Sequence, residues 1–479
     1  MKKLAAFLSS LFLFLLANPI WALAADSANE TAEAAGIIPP LWMCIPFAGL
    51  LLCIAIFPLV KEAWWEKNRQ YAVILWCVLF IVPFAIYYGA GTMFETVLEC
   101  IVNDYLTFIV LLFGLFCVAG NIKVEGNLAG SPRVNVLLLG IGTLLSSWLG
   151  TTGASMLLVR PVIKMNSWRK DRKHIMVFFI FLISNIGGCL TPIGDPPLLM
   201  GFSRGVSFFW SMHLLPVLLV NMVILLTVFY FVDSHFYRKE MARGAMPKYD
   251  PDAPLLRIKG AHNFIFIAMI IVAVILSGVL PVTLLKNVPG IHLFGDVVFG
   301  WASVIEIAII LLAAWLSFKT TDASIRKQNH FTWGAIQEVA TLFVGIFITM
   351  QPALMILKSA GASLGLQHPY QMFWVTGALS SFLDNTPTYL VFLTTAGSMS
   401  FAEGIVTTLG TVPAKMLMAI SSGAVFMGAN TYIGNAPNFM VKSISDENGI
   451  KMPSFFGYMA WSICILIPTF IVDTLIFFL

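Results

Sequence analysis

The sequence predicts an all-α integral membrane protein of about ten transmembrane helices and two re-entrant helical hairpins, arranged as two repeats of inverted topology. Three observations predict it. The 479-residue chain is 59% hydrophobic and only 11% charged, with a mean hydropathy of +0.88, whereas a soluble domain carries about 25% charged residues. Apolar runs of the ~20 residues that cross a bilayer recur along its length. Two short polar, helix-breaking words each occur twice in this apolar chain.

The apolar runs lie near 41–60, 71–90, 104–120, 174–200, 212–232, 262–282, 299–318, 334–356, 412–440 and 455–479. Segments 134–159 and 370–400 are interrupted by Gly and Pro clusters and do not read as single spans. Loop charge sets their topology, because short cytoplasmic loops are enriched in Lys and Arg. Lys123 and Arg133 precede 134–159, and Arg160, Lys164, Arg169, Lys170, Arg172 and Lys173 follow it. Both ends are therefore expected on the cytoplasmic side, so the segment enters and returns. The same threading puts both ends of 370–400 outside. Of 28 Lys and Arg residues, only Arg204, Lys286, Lys358 and Lys415 then fall outside; with Lys2 and Lys3 in the N-terminal run, 22 remain in cytoplasmic loops.

The N-terminus reads as a secretory signal peptide over 1–24. Lys2 and Lys3 precede the apolar run Leu4–Leu16, and Ala22-Leu23-Ala24 offers a small-residue cleavage site. An uncleaved first span is the alternative, and either reading leaves residue 30 outside the cytoplasm. A bacterial inner (plasma) membrane is the expected location. The first repeat is expected over 41–232 and the second over 262–479, joined by a charged, Pro-bearing cytoplasmic linker at 233–261. Each repeat would contribute three spans, a hairpin and two spans.

The repeated words carry the functional reading. Ser146-Ser147-Trp148-Leu149-Gly150-Thr151-Thr152 is echoed by Ser380-Ser381-Phe382-Leu383-Asp384-Asn385-Thr386, and Thr191-Pro192-Ile193-Gly194-Asp195-Pro196-Pro197 by Thr431-Tyr432-Ile433-Gly434-Asn435-Ala436-Pro437, at offsets of 234 and 240 residues. Small breakers at matching places in two halves point to a transporter whose site lies where broken helices meet. Non-helical backbone at membrane depth persists only when buried or lining a wet cavity. The candidate ion- or substrate-binding set is Ser146, Ser147, Thr151, Thr152, Asn185, Thr191, Gly194, Asp195, Ser380, Ser381, Asp384, Asn385, Thr386, Asn430, Thr431, Gly434 and Asn435. Their hydroxyl, carbonyl and carboxylate oxygens suit a hard cation, and Asp384, Asn385 and Thr152 are the expected sodium ligands. Close packing of membrane helices is the alternative role for the small residues.

A carboxylate at membrane depth is costly and marks a functional position. Asp384, at the second hairpin tip, is the sharpest candidate to carry a proton or hold a cation. Asp195 is the second, although its place before Pro196-Pro197 also suits a helix cap. Glu306, about two turns inside its span, is a third proton carrier. Glu338 reads as a first-turn charge and Asp473 as a solvated residue near the outer end. Trp64, Trp65, Trp301, Trp333 and Trp461 read as interfacial anchors. The seven cysteines, none in a CxxC pair, read as small buried hydrophobes, and the seven histidines fall in loops or at span edges. No metalloprotease or nucleotide-binding motif is present, and the apolar runs offer no strand-to-helix turn of the kind a nucleophile elbow needs, so neither an enzyme nor an ATP-driven pump is expected. Scattered basic residues argue against nucleic acid as a partner. No cofactor is expected, with sodium as the transported or coupling ion.

At these motifs the chain resembles the ion-transporter superfamily. Ser184-Asn185-Ile186-Gly187-Gly188, running into Thr191–Pro197, is similar to the first signature of arsenite permeases and NhaD-type sodium/proton antiporters. Ser380–Pro387 is similar to their second-hairpin signature, and Asn430–Asn438 to their third. The resemblance covers nearly all of the chain after residue 40. It implies a homodimer with a scaffold and a moving transport part, working by elevator-like alternating access in the lipid bilayer. Sodium-coupled citrate and dicarboxylate transporters of the superfamily carry Ser-Asn-Thr at both hairpin tips, whereas the tips here read Gly150-Thr151-Thr152 and Asp384-Asn385-Thr386. An ionisable tip with no Lys or Arg inside the site favours sodium (or lithium)/proton antiport. A sodium- or proton-coupled citrate or carboxylate carrier is the alternative, and an arsenite-permease-like carrier comes third.

Overall fold

The computed structural model describes residues 38–126, 128–246, 257–329, 331–399 and 401–479; the expected signal peptide at 1–24 lies outside them. The fold is an all-α membrane protein. Among the described residues, nine helical stretches are long and apolar enough to cross a membrane, or ten if a bent pair counts as one more span.

The first half begins with α1 (Ile45–Val60), α2 (Glu62–Tyr88), α3 (Ala90–Glu99) and α4 (Thr107–Gly120). The π-helical turn Cys100–Leu106 joins α3 to α4, so that span starts at residue 90 rather than near 104. Likewise α2 starts at Glu62, placing Lys67 and Arg69 on a helix instead of in a loop. Next come α5 (Pro132–Leu149) and α6 (Thr151–Met165), which pack on each other around Gly150. Pro132 opens α5 and the Ser131 hydroxyl accepts from Val134 N at 3.4 Å, a standard helix start. Gly150 sits at φ 76°, where a Cβ would be strained. The run expected at 174–200 is broken into α7 (Lys173–Leu182), the short 3₁₀ turn Ile186–Leu190 and α8 (Pro196–Ser203). The half closes with α9 (Leu215–Ala242), so Asp233, Arg238 and Lys239 stand on this helix rather than in a linker loop.

The second half holds α10 (Asn263–Val279), α11 (Trp301–Thr320), the short α12 (Ala323–Gln328), and α13 (Gly334–Thr349) with α14 (Gln351–Ala360). The last two are bent by 42°, with Pro352 in the first turn of α14. A second packed pair follows, α15 (Pro369–Ser380) and α16 (Asn385–Ser398). At 12 and 14 residues these arms are ~18–21 Å long at 1.5 Å per residue, short of the ~30 Å of bilayer hydrocarbon. The run expected at 412–440 is broken in its turn into α17 (Ala414–Met427), the 3₁₀ turn Gly428–Asn430 and α18 (Ala436–Glu447); α19 (Phe455–Asp473) completes the chain.

Three small antiparallel pairs were not legible as strands: β1 (Lys123–Glu125) with β2 (Arg257–Lys259), β3 (Ile291–Phe294) with β4 (Val297–Phe299), and β5 (Ile405–Thr407) with β6 (Gly410–Val412). They tie interhelical loops rather than build a sheet.

The core is the broken spans, not the longest helices. Of Lys173–Leu190, 94% is buried, against 17% of Ala63–Tyr88. The outer helices instead expose apolar side chains such as Ile56, Ile74, Val223 and Trp315, as lipid contact requires. The halves interlock at the core: α8 packs on α16, and α18 on α6. Of the expected interfacial tryptophans, Trp65 is buried and stacks on Phe57 with ring centroids 5.8 Å apart. Cys464, read as buried, is exposed on α19.

Polar clusters brace the helix ends. Asp233 on α9 is fully buried and accepts from Arg169 Nη2 at 2.5 Å and Asn135 Nδ2 at 2.9 Å, and its Oδ1 lies 2.8 Å from His174 Nε2. Asp473, expected to be solvated, is also fully buried, and its two oxygens accept from Asn221 Nδ2 at 2.9 and 2.8 Å. The reason is that α9 packs on α19, closing over a position that a lone helix end would leave wet. Glu338 lies in the second turn of α13 and pairs with Arg69 at 3.2 Å. Removing one partner of a buried ion pair leaves the other charge uncompensated, at about 3–5 kcal/mol. Asp233→Ala is therefore expected to lower the melting temperature of the detergent-purified protein by many degrees, whereas Asp322→Ala, at an exposed cap, changes it little; differential scanning fluorimetry compares the two.

Candidate functional site

The site forms where both helix breaks meet the tips of both packed pairs. Breaking a helix inside an apolar core frees carbonyls and amides that must find partners within the protein. Serines and threonines supply them, the same way in each half. Thr191 Oγ1 donates to Ser147 O, and Thr431 Oγ1 to Ser381 O. The amides of Gly194 and Gly434 donate back to those hydroxyls at 3.2 and 3.1 Å. Ser147 Oγ donates to Gly187 O at 2.5 Å and Ser381 Oγ to Met427 O at 3.1 Å, again at equivalent positions. Ser146 and Ser380 reach Ile183 O and Ala424 O at 2.8 and 2.6 Å. Two glycines permit the close approach: a Cβ on Gly194 would lie 2.2 Å from Gly188 O, and one on Gly434 2.5 Å from Gly428 O.

Asp195 is the point where the two halves converge. Its side chain is fully buried. Oδ1 accepts from Thr151 Oγ1 at 3.0 Å and from Asn435 Nδ2 at 3.5 Å, and Oδ2 accepts from Asn385 Nδ2 at 2.9 Å. Thr151 and Asn385 are matching residues of the two tips, and Asn435 is the counterpart of Asp195 itself. Asn435 Nδ2 also lies 3.2 Å from Ser184 O and from Asn185 Oδ1. Asn185 in turn donates to Asn438 Oδ1 at 2.7 Å, and Asn438 to the freed carbonyls of Gly428 and Thr431. Asp195 stands at the cap position of α8 but makes no capping bond, so its carboxylate is committed to the inter-half contact.

Asp384 does the capping instead. Its Oδ1 accepts from Thr386 N at 3.1 Å and begins α16. It faces a cavity of about 70 Å³ that Thr151, Thr152, Gly194 and Asn435 also line, with Leu115, Phe116 and Phe343 forming apolar walls. Such a space holds a few waters. Among the described residues, no Lys or Arg pairs with Asp195 or Asp384. Two further oxygens are buried without a hydrogen-bond partner, Thr386 Oγ1 at the second tip and Asn430 Oδ1 at the second break. Asn430 Nδ2 is held by Ser381 Oγ at 2.9 Å. Carboxylate, hydroxyl and amide oxygens with open lone pairs suit a hard cation.

The structure thus brings the tip and break residues into one constellation and leaves Glu306 out of it. Glu306 is buried on α11, in the α4–α10–α11 packing, with the Ser277 hydroxyl as neighbour. Asn438, Ser155 and Ser184 join the network unforeseen; Ser155 and Ser184 share a hydrogen bond at 2.8 Å. Asn438 sits inside the third motif word, and that was the available signal for it.

Overpacking a tight core costs about 1–3 kcal/mol, and here the intruding Cβ meets backbone that cannot rotate away. Gly194→Ala and Gly434→Ala are each expected to lower the melting temperature, while Gly91→Ala, with nothing within 4 Å of the added carbon, leaves it unchanged.

A protein-family profile described as "putative citrate transport" matches residues 37–478, and the chain belongs to that family. The family fits the ion-transporter superfamily that the motifs resemble, and with the multi-span fold it makes the protein a membrane transporter. No curated protein matches the chain.

Proposed function

We propose that this member of the citrate transport family is a secondary active carrier that exchanges sodium or lithium for protons at Asp195 and Asp384. The observation that carries the reading is the Asp195 carboxylate, buried between the two tips with neutral donors only. A carboxylate so placed strongly prefers to be neutralised, either by a proton or by a bound cation. Proton and cation therefore compete for one group, which is the chemistry of exchange. Asp384, Thr152 and Asn385, with the open oxygens of Thr386 and Asn430, supply further ligands. We read α5–α6 and α15–α16 as re-entrant hairpins entering from opposite faces, so that occupancy at their tips biases which face is open. A homodimer in the plasma membrane, with the mature N-terminus outside the cytoplasm, completes the reading.

The family description favours a second reading, a sodium- or proton-coupled carrier of citrate or another carboxylate. Two acidic side chains and a small cavity oppose a multiply charged anion at this centre. The readings part in proteoliposomes that hold a pH-sensitive dye. Exchange predicts that a pre-formed proton gradient collapses on adding sodium or lithium, but not potassium or citrate. It also predicts that the apparent KM for sodium rises as pH falls, because protons occupy the same carboxylates. Asp195→Asn and Asp384→Asn are each expected to abolish the response. Sodium-driven exchange persisting in Asp195→Asn overturns the proposal. Gradient-dependent uptake of labelled citrate, with no response to cations alone, establishes the second reading.

A further inference from the structure

A concavity of about 690 Å³ opens at the end of the molecule that carries the basic loops. Its walls come from α6, the β1 segment, and the ends of α12 and α18. Four cations line it, Lys123, Arg160, Lys164 and Arg172, against two carboxylates, Glu125 and Glu447. Glu125 is already spent within the protein. Lys123 and Lys259 contact it at 2.5 and 2.9 Å and pull its carboxyl down to about 2. Lys123 also reaches Gln328 Oε1 at 2.8 Å, and Arg172 donates to Asn448 O at 3.3 Å.

Arg160 and Lys164 differ from these. Among the described residues neither makes an ion pair, Glu447 included, and neither has a side-chain hydrogen bond. They stand four residues apart on α6, hence on one helix face, and both line the concavity. Met156 and Leu157 also line it. From Met156 to Thr151 at the site is five residues of helix, ~7.5 Å of rise. Excess Lys and Arg at a membrane surface is ordinary. Two cations on one helix face, lining one concavity and making no ion pair among the described residues, are a recognition geometry.

We infer that this basin binds a small multiply charged anion bearing carboxylate or phosphate groups, with Arg160 and Lys164 gripping it from one side and Arg172 and Lys123 supplying the surrounding field. Two cations a helical turn apart can engage different anionic oxygens of one molecule, and the planar Arg160 guanidinium suits a bidentate contact. Glu447 on the opposite wall tempers affinity, so that the anion is held and released. This goes beyond the exchange reading, because binding here needs neither sodium nor a gradient.

The test uses the full-length protein, purified in a neutral detergent and titrated calorimetrically in sodium-free buffer at low ionic strength. The probes are citrate, succinate, inorganic phosphate and glycerol phosphate, with chloride as the control. At least one polyanion is expected to bind, and more weakly as salt rises. Citrate or succinate binding assigns a soluble carboxylate, inorganic phosphate a free phosphate, and glycerol phosphate alone a lipid headgroup. Arg160→Gln with Lys164→Gln is expected to weaken the Kd by about tenfold or more, the scale of losing charge-assisted contacts. If the double variant folds poorly, Glu447→Gln provides the opposite sign, tighter binding than the parent. No binding by any polyanion, or equal binding by parent and variants, overturns the inference, and neither result bears on cation exchange.

Discussion

An interrupted helix in an apolar interior leaves amides and carbonyls that water cannot reach, and each must be answered by another part of the chain. The centre of this protein is organised by that constraint. Ser147 and Thr191 close the first break, and Ser381 and Thr431 the second, through the same bonds at the same offsets. Because the answering hydroxyls sit at the ends of α5 and α15, the tips are tied to the breaks. The chain segments that carry the most polar side chains are thereby pressed into the most buried part of the fold. Polar density at the centre is then a consequence of breaking helices there, and it is also what makes an ion site possible.

The two halves carry the same doubled words but differ within them, and the differences have physical effects. At the first tip Gly150 takes a positive φ, and α6 begins without a side-chain cap. At the second, Asp384 occupies the matching place at φ −60° and caps α16 with its own carboxylate. At the breaks the asymmetry reverses, with an acid at 195 and an amide at 435. The amide can donate where the acid can only accept, so Asn435 binds its own counterpart. One acid from each half, contributed by different elements, gives a centre that is polar and acidic, and among the described residues no Lys or Arg pairs with either acid.

Positive charge is kept out of that centre and put to use at the edges. Arg169 is buried against Asp233 and locks the loop after α6 onto α9. Arg204, at the end of α8, donates to both oxygens of Asp104 at 2.9 and 2.8 Å, tying a broken span to the π-helical turn between α3 and α4. Among the described residues Arg160 and Lys164 make no ion pair, and they line a concavity that Glu447 also lines. The acidic centre and the basic concavity lie at the two ends of one helix, α6.

Much of this architecture was legible in the amino-acid sequence. Bilayer-length apolar runs and the doubled words are local or statistical properties, and hydrophobic length alone dictates a span when no water is present. The breaks at Thr191–Pro197 and Thr431–Pro437 were readable for a similar reason, since Pro and Gly act on the backbone of their own neighbourhood. Which acid sits at the centre was not readable. Asp195 and Asp384 look alike in sequence, one before prolines and one at a tip. Only the crossing of α8 over α16 brings Asn385, 190 residues away, to the Asp195 carboxylate. Burial of Asp473 by Asn221 likewise needs two helices 252 residues apart to pack. A residue's type and spacing set what it is able to bond. Which bonds it makes depends on partners that only the packed chain delivers, because hydrogen bonds act over a few ångströms and hold no memory of sequence distance.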